Sequence, residues 1–155
     1  MMQHMMIAAA LVATSATFAG TIECAAPLHT AKLTADDGDS DDRFGSSVAI
    51  SGGVAVIGAD GDDDNGSDSG SAYVFEQQVD GTWSHIAKLT ADDGDSGDEF
   101  GISVAISGGV AVVGAWGDED NGSWSGSAYI FEQQAGGTWL QIAKLTADDG
   151  ARNVN

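Results

Sequence analysis

Residues 31–86 read AKLTADDGDSDDRFGSSVAISGGVAVIGADGDDDNGSDSGSAYVFEQQVDGTWSHI, and residues 87–142 repeat them as AKLTADDGDSGDEFGISVAISGGVAVVGAWGDEDNGSWSGSAYIFEQQAGGTWLQI. The two rows differ at 12 positions, and a third copy opens at Ala143 as AKLTADDG. A repeat of this length describes stacked or ring-forming units, none of which buries its own faces alone. Within each unit, runs rich in Val, Ile, Tyr, Phe, Trp and Thr alternate with Gly, Asp, Asn and Ser. In the first copy the runs are 44–51, 54–59, 71–78 and 82–90, and each has the composition of a short strand. Ser51-Gly52-Gly53 makes the first two a hairpin. No segment holds a helical period.

Four antiparallel strands at a fixed period make a propeller blade. The expected fold is therefore all-β: two four-stranded antiparallel blades forming a partial propeller, with an extra leading strand. The boundaries are a signal peptide at 1–26, the leading strand of a missing blade at 27–35, blade 1 at 36–90, blade 2 at 91–146, and a truncated repeat or tail at 147–155. VAVIGA is continuously apolar because both faces of a blade stack on neighbours. Up-and-down strand order places connections 1→2 and 3→4 on one rim and the other two connections on the opposite rim. The first pair (SGG and QQVDG) is short, whereas 60–70 and 36–43 are long and acidic. The acidic loops are thus expected to share one rim.

With 155 residues the chain suffices for one domain, and Lys+Arg 5 against Asp+Glu 24 gives a net charge of −19. Such a surface repels phosphate backbones and anionic lipid, which argues against nucleic-acid or membrane-surface partners. Met5 to Ala19 is apolar and too short for a comfortable membrane span, and small residues offer cleavage after Ala19 or Ala26. This segment predicts export and a secreted or cell-surface location, although its first six residues lack Lys and Arg. Cys24 is the only cysteine, so no intramolecular disulfide forms.

Phe44-Gly45 and Phe100-Gly101 at the start of strand 1, Gly58-Ala59 and Gly114-Ala115 at the end of strand 2, and the following SGSAYVF run resemble the FG-GAP repeat. The resemblance is to integrin-α-like β-propellers in their bacterial secreted form, and it spans 31–142. It implies blades of a roughly seven-bladed propeller in an exported or surface protein that binds partners and serves adhesion. Two departures stand out. Asp60 or Trp116 replaces the motif's proline, and the calcium loop between strands 1 and 2 of integrin-type blades is here only Ser-Gly-Gly.

The residues themselves offer a different calcium candidate. Asp60, Asp62, Asp64 and Asp68 alternate around the Asn65-Gly66 bend, with Asp118 and Asp120 as the second copy's remnant, since Trp116 and Trp124 replace two carboxylates there. Such a loop can turn oxygens onto a hard cation, or it can be a solvated acidic loop. Asp37, Asp39 and Asp41, with Asp93, Asp95 and Asp98, form a second acidic set on the same rim, readable as additional ligands or as turn residues. Trp116 and Trp124 suit an anchor for a protein partner or a stacking platform for a glycan, and equally suit packing on an adjacent blade. Trp83 and Trp139 are expected in the core.

No catalytic residues are assigned. The GDSG at 94–97 has no paired base, and His85 becomes Gln141 in the second copy. Asn65-Gly66-Ser67 and Asn121-Gly122-Ser123 match glycosylation sequons and are also ordinary turns. The expected function is an exported, non-enzymatic binding or adhesion module with an acidic, calcium-accepting loop face. Its two blades leave stacking faces uncovered, which predicts homo-oligomers completing a propeller. The alternative is a fragment of a longer propeller protein without activity of its own.

Overall fold

The computed structural model describes residues 31–148, and every regular element among them is a β-strand. The first sheet contains β1 (Ser47–Ser51), β2 (Val54–Ala59), β3 (Ser71–Gln77) and β4 (Trp83–Leu89). The second contains β5 (Phe100–Ser107), β6 (Val110–Ala115), β7 (Ser127–Gln133) and β8 (Trp139–Thr146). Each sheet runs in simple chain order with antiparallel neighbours. These are the two expected blades. The hairpin joining β1 to β2 pairs Ser51 with Val54. Gly52 and Gly53 therefore carry the whole turn at φ 57° and 82°, which glycine adopts without a Cβ penalty.

Two expectations are corrected. The described part of the predicted leading strand, 31–35, forms no strand; no strand among the described residues pairs with it, and Leu33 and Ala35 instead pack by their side chains against blade 1. Residues 27–30, the signal segment and the tail from 149 lie outside the described residues. Strand 1 also starts at Ser47 in blade 1 but at Phe100 in blade 2. The cause is a neighbour: the Phe100 amide donates to the Ser69 carbonyl of the preceding repeat at 3.0 Å, and Gly70 bridges Phe100 in parallel.

Cross-strand registration defines two faces per blade. One face of blade 1 carries Val56, Ala72 and Val74, and it packs against Ala111, Val113, Tyr129 and Phe131 on the opposite face of blade 2. Leu89, Phe100 and Trp139 complete this core. The other face of blade 1 gathers Ala55, Ile57, Tyr73 and Phe75 with Leu33, Phe44 and Trp83. Each motif phenylalanine braces its own blade edge-on, Phe44 against Tyr73 and Phe75 at 5.3 and 6.2 Å, and Phe100 against Tyr129 and Phe131 at 5.4 and 5.9 Å.

The blades meet backbone to backbone at the Phe-Gly step. Ser47 Oγ donates to the Gly101 carbonyl at 2.6 Å. A Cβ built on Gly58 would lie far inside van der Waals contact with that same carbonyl oxygen, and one on Gly101 would strike the Ser71 carbonyl. Backbone atoms cannot swing aside, so Gly58→Ala is expected to cost about 2–3 kcal/mol in urea unfolding, with both blades losing structure together. A cost below about 0.5 kcal/mol would show that the blades do not approach this closely.

Candidate functional site

The acidic loops meet at one end of each sheet, and a lysine stands among them. Lys88, near the end of β4, places its Nζ 2.8 Å from Asp37, 2.9 Å from Asp62 and 2.6 Å from Asp64. The same nitrogen lies 5.1 Å from the centroid of the Tyr73 ring. Tyr73 donates its hydroxyl to Asp37 and Asp62, both at 2.9 Å. Buried Asp62 also accepts from Ser71 Oγ at 3.0 Å and from the Asp64 amide at 3.1 Å. Blade 2 repeats the arrangement: Lys144 Nζ sits 2.7 Å from Asp93, 2.7 Å from Asp118 and 2.5 Å from Asp120. Tyr129 and Ser127 each donate to Asp118 at 2.9 Å. An ammonium of this kind is a cation supplied by the fold itself.

Burial pushes the Asp62 carboxyl up, but the hydrogen bonds from Lys88, the Asp64 amide, Tyr73 and Ser71 outweigh it and hold its pKa below the usual carboxylate value. Asp118 is lowered in the same way against its own burial, helped by Lys144, Ser127 and Tyr129. Asp37 is lowered chiefly by the hydrogen bond from Lys88. Burial opposes the charge on both lysines, yet the surrounding carboxylates raise them above the ordinary lysine value. Asp98 moves the other way: burial raises it.

A second feature separates the blades. In blade 1, Arg43 holds Asp60 at 3.0 Å and Asp68 at 3.4 Å. At the three equivalent positions blade 2 has Glu99, Trp116 and Trp124. The two indoles lie 5.0 Å apart at 38°, and Trp116 Nε1 donates to the Glu99 carboxylate. Three of the twelve differences between the copies thus fall in one contact cluster, turning an ion-paired trio into an aromatic pair. Both indoles are exposed, Trp124 by 63%. Trp124 also has φ 57°, a left-handed conformation that costs a bulky side chain on the order of 1 kcal/mol. Beside it opens an acidic cleft of about 540 Å³ lined by Asp93, Asp95, Asp98, Asp118, Glu119 and Asp120.

The expected site residues therefore divide. Asp62 and Asp64 join Asp37 around Lys88, and Asp118 and Asp120 join Asp93 around Lys144. Asp60 and Asp68 stand apart with Arg43, and buried Asp60 keeps one oxygen, Oδ1, without a partner. Asp98 accepts the Asp95 amide at 2.8 Å, as a turn residue does. Among the described residues no group of His, Cys, Asp or Glu has metal-ligand geometry. Trp139 is buried and Trp83 partly so, as expected of core residues. The lysines were missed by sequence reasoning, although a signal existed: three of the five basic residues (Lys32, Lys88 and Lys144) recur at the repeat period.

Two antiparallel blades docked through a Phe-Gly step, with their acidic loops on one rim, define a β-propeller-type repeat module. The chain belongs to the FG-GAP repeat family, whose model matches residues 28–75 and again 83–131. A comparison with curated proteins finds no match.

Lys88→Met leaves Asp62 buried and unpaired, and is expected to cost about 2–3 kcal/mol in chemical denaturation. The pH profile follows from the shifts. The depressed carboxylates contribute stability above the unfolded value of about 3.9, and this is lost as pH falls through their lower folded values. The raised lysines contribute below about 10.4, and this is lost as pH climbs through their folded values. The melting temperature should be level from about pH 5 to 9 and fall steeply in acid, and Lys88→Met should blunt the acid limb. An unchanged acid limb in Lys88→Met would exclude the lysine as the carboxylates' partner.

Proposed function

We propose that this protein is an exported binding module that acts by contact rather than catalysis, and that its contact surface is the loop rim of blade 2. The observation carrying this reading is the replacement of Arg43, Asp60 and Asp68 by Glu99, Trp116 and Trp124. The trio of blade 1 is held by its ion pairs, whereas an exposed indole pair in a costly backbone conformation gains only when something covers it. The acidic cleft beside Trp124 and the net charge of −19 favour a partner protein that presents Lys or Arg side chains, which indole faces attract through cation–π contact. Export draws on the apolar segment at 5–19 and the small residues after it. No helix among the described residues is long and apolar enough to cross a membrane.

Titration of tryptophan fluorescence with an arginine-rich peptide tests this. A saturable change that weakens with salt is expected, with affinity falling at least about tenfold in the Trp116→Asp/Trp124→Asp variant, which restores the carboxylates of blade 1. Equal binding by the variant would place the contact elsewhere, and a response to oligosaccharide alone would make the partner a glycan.

For calcium the support is narrower than the carboxylate count suggests. Lys88 and Lys144 stand where the ion would bind Asp62, Asp64, Asp118 and Asp120, and Asp60 Oδ1 is a buried carboxylate oxygen without a hydrogen-bond partner. Calcium is expected to raise the melting temperature of Lys88→Met more than that of the wild type, since only the variant frees three carboxylates. An equal rise in both would put the ion at Asp60 or beyond the lysine clusters.

A further inference from the structure

The Phe-Gly socket of blade 1 is filled, and its copy on blade 2 is open. In blade 1 the socket is Ser47, Gly58, Ser69, Gly70 and Ser71, and Phe100-Gly101 lies in it. Ser47 Oγ bonds the Gly101 carbonyl, and the Ser69 carbonyl accepts the Phe100 amide. The equivalents in blade 2, Ser103, Gly114, Ser125, Gly126 and Ser127, line an open groove of about 390 Å³ together with Leu145. At Gly114 the close atom is the movable Ser103 hydroxyl, not a backbone carbonyl as at Gly58. Glycine inside a strand weakens it, and a groove against which another backbone lies is a reason to keep it.

The exposed apolar surface extends across the same face. Leu89 is 3% exposed where blade 2 covers it, and its copy Leu145 is 53% exposed. Blade 1 shows the matching deficit. Val48 and Ile50 are exposed by 69% and 67%, whereas their copies Val104 and Ile106 pack against the inter-blade core. Around Gly45 an added Cβ would meet nothing within 4 Å, although the equivalent Gly101 is pressed against the Ser71 carbonyl. Among the described residues, one end of the stack thus presents an empty socket, and the other presents an unused Phe-Gly step. The two ends are the two halves of the interface already formed inside the chain.

We propose that the blade 2 socket takes Phe44-Gly45 of a second copy of this chain, which joins copies head to tail through the same interface that joins the two blades. Ser103 Oγ then donates to the Gly45 carbonyl, the Ser125 carbonyl accepts the Phe44 amide, and Val48 and Ile50 cover the open face of blade 2. Residues 31–38 and 143–150 are identical. Leu145 and Ala147 of one copy therefore take over the positions that Leu33 and Ala35 hold on blade 1 of the next, where those residues pack without strand pairing. A heterologous contact of this kind closes a ring if its rotation permits and otherwise extends.

Sedimentation velocity of the full chain over a roughly hundredfold concentration range tests the assignment. The wild type should exceed the mass of one chain as concentration rises. Gly114→Ala and Leu145→Asp should both hold the single-chain mass with an unchanged β-sheet circular dichroism spectrum. If Gly114→Ala fails to fold, Leu145→Asp decides. A wild type that stays at single-chain mass throughout, or a folded variant that associates undiminished, overturns the proposal. Trp124→Asp, whose indole lies outside this groove, should associate like the wild type, which separates this contact from the partner-binding rim.

Discussion

The approach of one repeat's Phe-Gly backbone to the glycine and serines of the preceding blade is the constraint on which the rest of the molecule depends. It needs Gly58 without a side chain and Gly101 at φ 95°, and it ties the loop of one repeat to the next. Three amides of the second copy, those of Gly97, Glu99 and Phe100, donate to the carbonyls of Ser67, Asp68 and Ser69 at 2.8, 3.0 and 3.0 Å. That backbone ladder sets the distance between sheets at which Val56 and Val74 meet Val113 and Tyr129. It also lines up the acidic loops, since the atoms that make the ladder belong to those loops.

Lining up so many carboxylates costs free energy unless they are neutralised nearby. The charge excess is −19, and self-repulsion of that size opposes compaction. Each blade answers with one lysine delivered by its fourth strand to three aspartates, over a tyrosine whose hydroxyl meets two of them in blade 1 and one in blade 2. These clusters hold the loops in shape and leave the outer rim free to diverge. In blade 1 that rim closes on itself through Arg43, whereas in blade 2 it opens into two indoles and an acidic cleft.

Much of the fold was legible in the sequence because the signals were local and doubled. Ser-Gly-Gly between β-rich runs marked each hairpin, and strand count alone placed the acidic loops on one rim. The errors arose where a residue's state depends on a neighbour. Phe44-Gly45 and Phe100-Gly101 read identically, yet only the second begins a strand, because among the described residues only it bonds to a preceding repeat. Residues 31–35 carry a strand's composition, but no strand among the described residues pairs with them. The carboxylates of 60–68 form an alternating set along the chain, and spacing along the loop does not reveal that Lys88 arrives among them from 24 residues beyond Asp64. Trp116 and Trp124 stood out as substitutions, but their contact with each other, and the link to Arg43 becoming Glu99, is a matter of three-dimensional proximity.

Native-state hydrogen exchange tests the central claim, that the Phe-Gly step locks the two blades into one cooperative unit. The amides of Gly97, Glu99 and Phe100 should exchange as slowly as those of β2 and β6, through global unfolding. If these three exchange through a low-energy opening while both sheets stay protected, the blades fold independently and the docking described here does not hold them.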